Sequence, residues 1–409
     1  MNTARFATLQ QWLGWQQSLH PRAIDLGLER LEHVMRALKM GPPRYTVITV
    51  GGTNGKGSCV AYLEAILRAQ GYRVGTYTSP HLMRYNERIR VDGIDVEDAN
   101  LCRAFARIDA ARGDISLTYF EFGTLAAFAI FAEADINVAV LEVGLGGRLD
   151  AVNVLDADAA VVTTVDIDHV EWLGPDRNSI GYEKAGIYRP GRPAICADPE
   201  PPESLLNYAK AIAAKLYLVG KDYGFEIAAQ GWNWWHNTHR LEALPLPAMF
   251  GDHQRANAAA ALMVLTTLSE RLPVSTESIR RGFASAYLPA RFQVIDGPVE
   301  WILDVTHNPQ GVSILAACLK TRLCRGRTYA VLGMLSDKDA VAVARILDDI
   351  VDYWYAATLV GSRGRSGQQL AATLQDAGVG GKVSYFDSVA DACRTAKQKS
   401  AECHSVIIG

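Results

Sequence analysis

Tyr45 to Gly71 reads YTVITVGGTNGKGSCVAYLEAILRAQG, and its three parts decide the fold. The first six residues are nearly all apolar and β-branched, as expected of a strand covered by helices on both faces. GGTNGKGS, Gly51 to Ser58, follows as a glycine loop. Beyond it Val60, Leu63, Ile66 and Leu67 recur at helical spacing, and Gly71 stands where a helix would stop. Strand, glycine loop, lysine, hydroxyl and helix are the parts of a triphosphate site. Glycines let backbone amides turn inward, the helix N-terminus presents its positive end, and Lys56 can reach the terminal phosphates. The spacing departs from G-x-x-x-x-G-K-[ST]: Val50 occupies the first glycine position, and Gly57 precedes Ser58 where the hydroxyl should stand.

Outward from this unit the pattern repeats. Ile136 to Val143 and Ala159 to Val165 are further apolar strands alternating with helical segments, which predicts βαβ units around a mainly parallel sheet as far as about Ile195. Residues 198–250 contain Pro199, Pro201 and Pro202 and then Trp232, Trp234 and Trp235 in a polar-aromatic run. A β-hairpin insertion accounts for it better than a ligand platform. Ala256 to Leu268 reads as a buried helix. A second alternation begins near Glu300, with strands expected at Trp301 to Val305, Thr328 to Leu332, Tyr355 to Val360, Val383 to Phe386 and Ser405 to Ile408. Pro289, Gly297 and Pro298 punctuate the join. The domains expected are therefore 1–288, a linker 289–298, and 299–409. A further helix is expected beyond Gly409, where the chain ends directly after a strand.

Composition narrows the function classes. The chain has 409 residues, 49% hydrophobic and 21% charged, which excludes collagen-like, coiled-coil and disordered classes. Its 41 Lys and Arg against 44 Asp and Glu leave a net charge of −3, with no electrostatic footprint for nucleic acid or an anionic membrane. Cys59, Cys102, Cys196, Cys318, Cys324, Cys393 and Cys403 are odd in number and show no CxxC spacing, which favours reduced thiols in a cytoplasmic protein. No stretch suggests a leader peptide or a membrane span. Nothing in the sequence demands more than a monomer.

TNGKGS resembles the nucleotide loop of the Mur-ligase superfamily, and further motifs narrow the likeness to the folylpolyglutamate synthase and dihydrofolate synthase family. They are IDLGLER (24–30), SPHL (79–82) followed by NERI, TYFEFGT (118–124), LEVGLGGRLDAVN (141–153), DIDH (166–169), EKAGI (183–187), HQRAN (253–257), ARF (290–292), DVTHNP (304–309) and GMLSDKD (333–339). The resemblance implies an N-terminal P-loop-type, mainly parallel α/β domain like the Mur-ligase central domain, and a smaller Rossmann-like C-terminal domain. It also implies an ATP-dependent acid–amino-acid ligase forming ADP and phosphate. A substrate carboxylate takes the γ-phosphoryl group, and the amine of L-glutamate attacks the acyl phosphate. Only about 45 residues precede the strand-loop unit, too few for the UDP-sugar-binding domain of peptidoglycan Mur ligases. The substrates expected are 7,8-dihydropteroate and reduced folates. Two other readings stay open: polyglutamylation alone, and an ATP-binding homologue without ligase activity.

The site residues follow from motif and chemistry together. Thr53, Asn54, Gly55, Lys56, Gly57 and Ser58 would cradle phosphates. Glu142, at the C-terminal end of an apolar strand, suits Mg²⁺ beside a triphosphate. The family pattern adds Ser79, competing with Ser58 as a hydroxyl ligand, and His169 on a second metal ion; taken alone, His169 reads as structural. Lys184 corresponds to the lysine that is carbamylated in many Mur-type ligases, where the added carboxylate helps hold the second metal. Asn257 and Arg291 lie in motifs that contact nucleotide in the family, with Asp304 and His307 from the second domain. Contacts from both domains would require their closure, which also excludes water from the acyl phosphate. Lys338 and Asp339 read as structural or closure residues. Asp25, Leu26, Gly27, Thr118, Tyr119, Phe120, Glu121, Leu149, Asp150 and Ala151 resemble pterin-binding segments, in which Phe120 could stack on the flat ring and Asp150 accept pterin N–H groups. Cofactors implied are ATP and two Mg²⁺ ions, with assistance by a monovalent cation left open.

Overall fold

The computed structural model describes residues 4–322, 326–361, 363–400 and 406–408. Two compact units emerge: Met1–Ala248 with Arg255–Ala286, and Met249–Gln254 with Tyr287–Gly409. Ser405 and Gly409, and with them the expected chain end, lie outside the described residues, as do Cys324 and Cys403. The remaining five cysteines are free thiols.

The first unit is built on eight strands: β1 (Thr46–Gly51), β2 (Val74–Tyr77), β3 (Ile89–Val91), β4 (Ile94–Asp95), β5 (Val138–Glu142), β6 (Ala159–Val162), β7 (Pro193–Cys196) and β8 (Lys215–Leu218). Their order is β4-β3-β2-β5-β1-β6-β7-β8, parallel except at the β2-β3-β4 edge. Because β1, β5 and β6 are buried along their whole length, their all-apolar pattern is satisfied on both faces. The register places Glu142 beside Val50 and Val162 beside Gly51, so the ends of β5 and β6 flank the start of the glycine loop.

Among the described residues ten α-helices belong to this unit wholly or in part: α1 (Leu9–Leu19), α2 (Glu29–Ala37), α3 (Lys56–Gln70), α4 (Asp98–Arg112), α5 (Tyr119–Glu133), α6 (Val170–Leu173), α7 (Arg177–Ala185), α8 (Glu203–Ala211), α9 (His253–Thr267) and α10 (Thr276–Ser285). The first two residues of α9 group with the second unit. α3 ends at Gly71, whose φ of 98° lets its N–H reach the carbonyls of Leu67 and Arg68. The expected hairpin is a three-stranded antiparallel sheet of β9 (Tyr223–Ile227), β10 (Trp232–His236) and β11 (His239–Leu244). Trp232 and Trp234 are core residues there: both are fully buried, and Trp234 Nε1 donates to the Ala259 carbonyl on α9 at 3.2 Å.

The second unit holds β12 (Gln293–Ile295), β13 (Glu300–Leu303), β14 (Thr328–Leu332), β15 (Tyr353–Ala357), β16 (Lys382–Phe386) and β17 (Val406–Ile408), in the order β12-β13-β17-β14-β15-β16. Among the described residues only the β12–β13 pair is antiparallel. Its helices are α11 (Pro309–Thr321), α12 (Ala340–Leu347), α13 (Gly367–Asp376) and α14 (Val389–Ser400). β12 occupies part of the stretch 289–298. Among the described residues no helix is long and apolar enough to cross a membrane.

Candidate functional site

The glycine loop is held by the chain that leaves β6. Thr53 N donates to the Thr164 carbonyl at 2.7 Å, Asn54 N to Thr164 Oγ1 at 3.0 Å, and Thr163 Oγ1 to the Asn54 carbonyl. Thr53 Oγ1 both donates to the Asp166 carbonyl and accepts from the Asp166 amide. A Cβ on Gly55 would stand 2.5 Å from Asn257 Oδ1, and Gly55 takes φ of 84° at the cap of α3. Glycine is needed here twice over, for the left-handed backbone and for the approach of α9. Lys56 Nζ arches over the loop, donating to the carbonyls of Gly52 and Thr53 at 2.9 and 3.1 Å. Ser58 is buried in the first turn of α3.

Glu142 ends β5 almost wholly buried, and its Oε2 accepts the Ser79 amide at 3.1 Å, so two residues 63 positions apart meet beside the loop. Burial, with Glu142 adding to it, pushes the neighbouring Cys59 thiol up to about 12, which leaves it inert. Lys184 is buried on α7. Burial, reinforced by the Lys56 charge, lowers its ammonium to about 7, against the pull of Asp168 and Asp150. His169 caps α6 in the left-handed region at φ 52°, ψ 41°, a strained placement that presents the ring to solvent, 3.9 Å from the Asp168 carboxylate. Among the described residues no three His, Cys, Asp or Glu side chains gather as a metal cluster. The residues fit Mg²⁺ nonetheless, because that ion takes one or two protein oxygens when phosphates complete its shell, and the Glu142 carboxylate beside the glycine loop supplies such oxygens.

Asp150 is buried after the next glycine loop. Its Oδ2 accepts the amides of Gly144 and Leu145 at 3.0 and 2.9 Å, and Oδ1 that of Val152 at 3.1 Å. Burial pushes its carboxyl up to about 7, opposed by these three amides and by Lys56. Leu149 is half-buried and Ala151 buried beside it. Thr118 caps α5 in a capping box with Glu121. Glu121 also receives Arg30 Nε at 3.0 Å, while the same guanidinium binds Asp25 Oδ2 at 2.8 Å. Arg30 thus ties the segment Asp25, Leu26 and Gly27 to the start of α5. Phe120 is half-buried, its ring centroid 5.7 Å from that of Tyr77. Tyr119 lies under the Arg88 guanidinium.

In the second unit, Asp304 Oδ2 accepts the Phe292 amide and Oδ1 the Thr306 amide, both at 2.8 Å. Arg291 sits between Ala290 and Phe292, both at positive φ, so this turn is held by Asp304. His253 lies close to both: burial lowers its imidazole, Asp304 opposes this and Arg291 adds to it. His307 is exposed, with Nδ1 against the Val305 carbonyl at 3.0 Å. Asn257, by contrast, belongs to the first unit.

Sequence reasoning assigned no role to four residues that the geometry brings forward: Arg30, Asp168, His81 and Arg88. Arg88 Nε donates to His81 Nδ1 at 2.8 Å, and its guanidinium lies over the Tyr85 and Tyr119 rings. All four stand inside motifs quoted above, and a titratable residue within such a motif was the available signal.

Residues 50–265 match the model of the Mur ligase middle domain, and residues 290–408 that of the Mur ligase, glutamate ligase domain. The dihydrofolate synthase/folylpolyglutamate synthase of Escherichia coli (strain K12) is 46% identical over 384 residues, which span 94% of this chain and 88% of that protein. The solved structure of E. coli FolC in complex with DHPP and ADP superposes with a TM-score of 0.93 at 44% identity, covering 100% of this chain and 95% of that one. A bifunctional folylpolyglutamate synthase/dihydrofolate synthase with Mn, AMPPNP and L-glutamate bound gives 0.91 at 44%, covering 100% and 96%.

Proposed function

This chain belongs to the Mur ligase family, within it to the dihydrofolate synthase/folylpolyglutamate synthases, and on that premise we propose that it joins L-glutamate to 7,8-dihydropteroate and to reduced folates, converting ATP to ADP and phosphate. A carboxylate oxygen of the pterin substrate attacks the γ-phosphorus as the bond to ADP breaks. The glutamate amine nitrogen then attacks the acyl carbon, phosphate departs with the C–O electron pair, and the amine proton passes to solvent or phosphate. An amide remains.

Lys56 and the amides of Thr53 to Ser58 hold the phosphates, and Lys56 offsets charge on the transferred group. Glu142 with Ser79 and Ser58 would hold one Mg²⁺, and His169 with Lys184 as a carbamate a second. Ions held by these residues would supply positive charge to offset that on the phosphoryl oxygens. Carbamylation needs a neutral amine: the Lys184 nitrogen attacks CO₂ and releases a proton. Asn257, Arg291, Asp304 and His307 take the nucleotide; Asp25 to Gly27, Thr118 to Glu121 and Leu149 to Ala151 take the pterin. The two halves of this machinery are residues 1–288 and 299–409, joined by 289–298. The five free thiols among the described residues suit a cytoplasmic protein, and the reading needs no second copy of the chain.

One observation carries the reading furthest: a lysine buried on α7 close enough to feel the charges of Lys56, Asp168 and Asp150. A nucleotide switch has no use for such an amine, and a ligase needing an extra carboxylate does. The test is phosphate release from ATP and Mg²⁺ with L-glutamate and either 7,8-dihydropteroate or tetrahydrofolate. Turnover with both, absent in Lys56→Ala, is expected. Turnover with tetrahydrofolate alone would reduce the function to polyglutamylation, and silence with both would leave a binding protein.

A further inference from the structure

The loop after β5 carries a contact with no counterpart in the roles above. A Cβ on Gly144 would stand 2.7 Å from Phe120 Cζ, 3.0 Å from Cε2 and 3.2 Å from Cε1. Three atoms of the ring's far edge therefore rest on the Gly144 backbone, nearer than any side chain at 144 permits. Gly144 is exposed, and it is not among the glycines at positive φ, unlike its neighbour Gly146 at 69°. Neither burial nor backbone conformation calls for glycine here; the Phe120 ring does. Both partners are fixed. The Gly144 amide is held by the buried Asp150 carboxylate at 3.0 Å, and the ring packs near the fully buried Tyr77.

We propose that Gly144 is a positioning residue for the pterin substrate: the missing side chain sets the depth at which the Phe120 ring lies, and so the room for a planar bicyclic ligand upon it. The inference rests on the reading that residues 118–121 take the pterin. An alanine at 144 would drive the ring tip back by about 0.7 Å or more to reach ordinary contact. The ring would meet the pterin in the bound state as well as in the transition state, so the loss falls on binding, and a rise in KM for dihydropteroate of about tenfold or more is expected.

The experiment is a double-mutant cycle of Gly144→Ala and Phe120→Leu, reading KM for 7,8-dihydropteroate, KM for ATP, and Tm. Gly144→Ala should raise the dihydropteroate KM and leave that for ATP within about twofold. In the Phe120→Leu background the same alanine should add nothing to KM or to Tm, because the shorter side chain no longer reaches residue 144. Equal effects in both backgrounds overturn the proposal, since the alanine would then act through the Asp150 loop. If Gly144→Ala alone does not fold, recovery of folding in the double variant supports the contact, and failure to recover refutes it. Phe120→Leu with an unchanged dihydropteroate KM would defeat the pterin reading instead, while the coupling in Tm would still report on the contact itself.

Discussion

Replacing Lys184 by methionine keeps the apolar stem and removes the charge. The folded amine titrates at about 7 because it is buried beside Lys56, whereas an unfolded lysine titrates near ~10.4. Between those values the unfolded chain binds more protons, so wild-type stability climbs as pH rises through the window, and the penalty is fully present at and below about pH 7. At about pH 7.5 it amounts to on the order of 4 kcal/mol as a ceiling. In CO₂-free buffer Lys184→Met should therefore melt higher than the wild type by several degrees, with roughly 10 °C as the upper bound. The gap should close as the pH approaches ~10. Turnover should fall about 100-fold or more, as when a charge-stabilising group is lost. Scanning calorimetry across pH and the phosphate-release assay check the two halves. A Lys184→Met protein that melts below the wild type at neutral pH, or turns over normally, would refute the reasoning.

Arg30→Met leaves the half-buried Asp25 and the buried Glu121 without their shared cation, although Asp25 keeps His20 and Arg22 nearby; a buried acceptor that loses such a partner costs about 1–3 kcal/mol, so a lower urea midpoint and a raised dihydropteroate KM are expected. Gly55→Ala must adopt φ of 84° and displace Asn257 Oδ1 from 2.5 Å; initial rates should show the ATP KM up about tenfold or more, consistent with roughly 1–3 kcal/mol of backbone strain, and the pterin KM unchanged. Excess EDTA should abolish phosphate release, and Mg²⁺ or Mn²⁺ should restore it while Ca²⁺, with its longer and looser coordination, restores less.

How much was legible depended on whether a signal was local. Thr328 to Leu332 is a strand in the structure with the limits expected of it, and Gly71 stops α3 as anticipated, because apolar runs and a glycine after a periodic helix are read within a few residues. β3, β4 and β12 have only three, two and three residues, too short for alternation to show; each pairs antiparallel with its neighbours, and β4 and β12 lie at the sheet edges. α1 carried a usable mark that went unread, the Thr8 to Gln11 capping box, because glutamines blurred its apolar face. The site divides the same way. Lys56 and Glu142 declare themselves by standing after apolar strands. The Arg30 link to Glu121 joins residues 91 positions apart, and only the packing of α5 near the N-terminal segment reveals it. For Asp150, chemistry pointed to an acceptor for pterin N–H groups; its hold on the amides of Gly144, Leu145 and Val152 could not be read from the motif, because the turn that brings them to it is set by folding.

The acyl phosphate is the claim on which the account turns, and an isotope reports it directly. 7,8-Dihydropteroate labelled with ¹⁸O in its carboxylate would be turned over with ATP, Mg²⁺ and L-glutamate, and the released phosphate analysed by mass spectrometry. Transfer of the γ-phosphoryl group to the carboxylate leaves one substrate oxygen in each phosphate, so one ¹⁸O per phosphate is predicted. Phosphate free of label, formed alongside amide product, would contradict it.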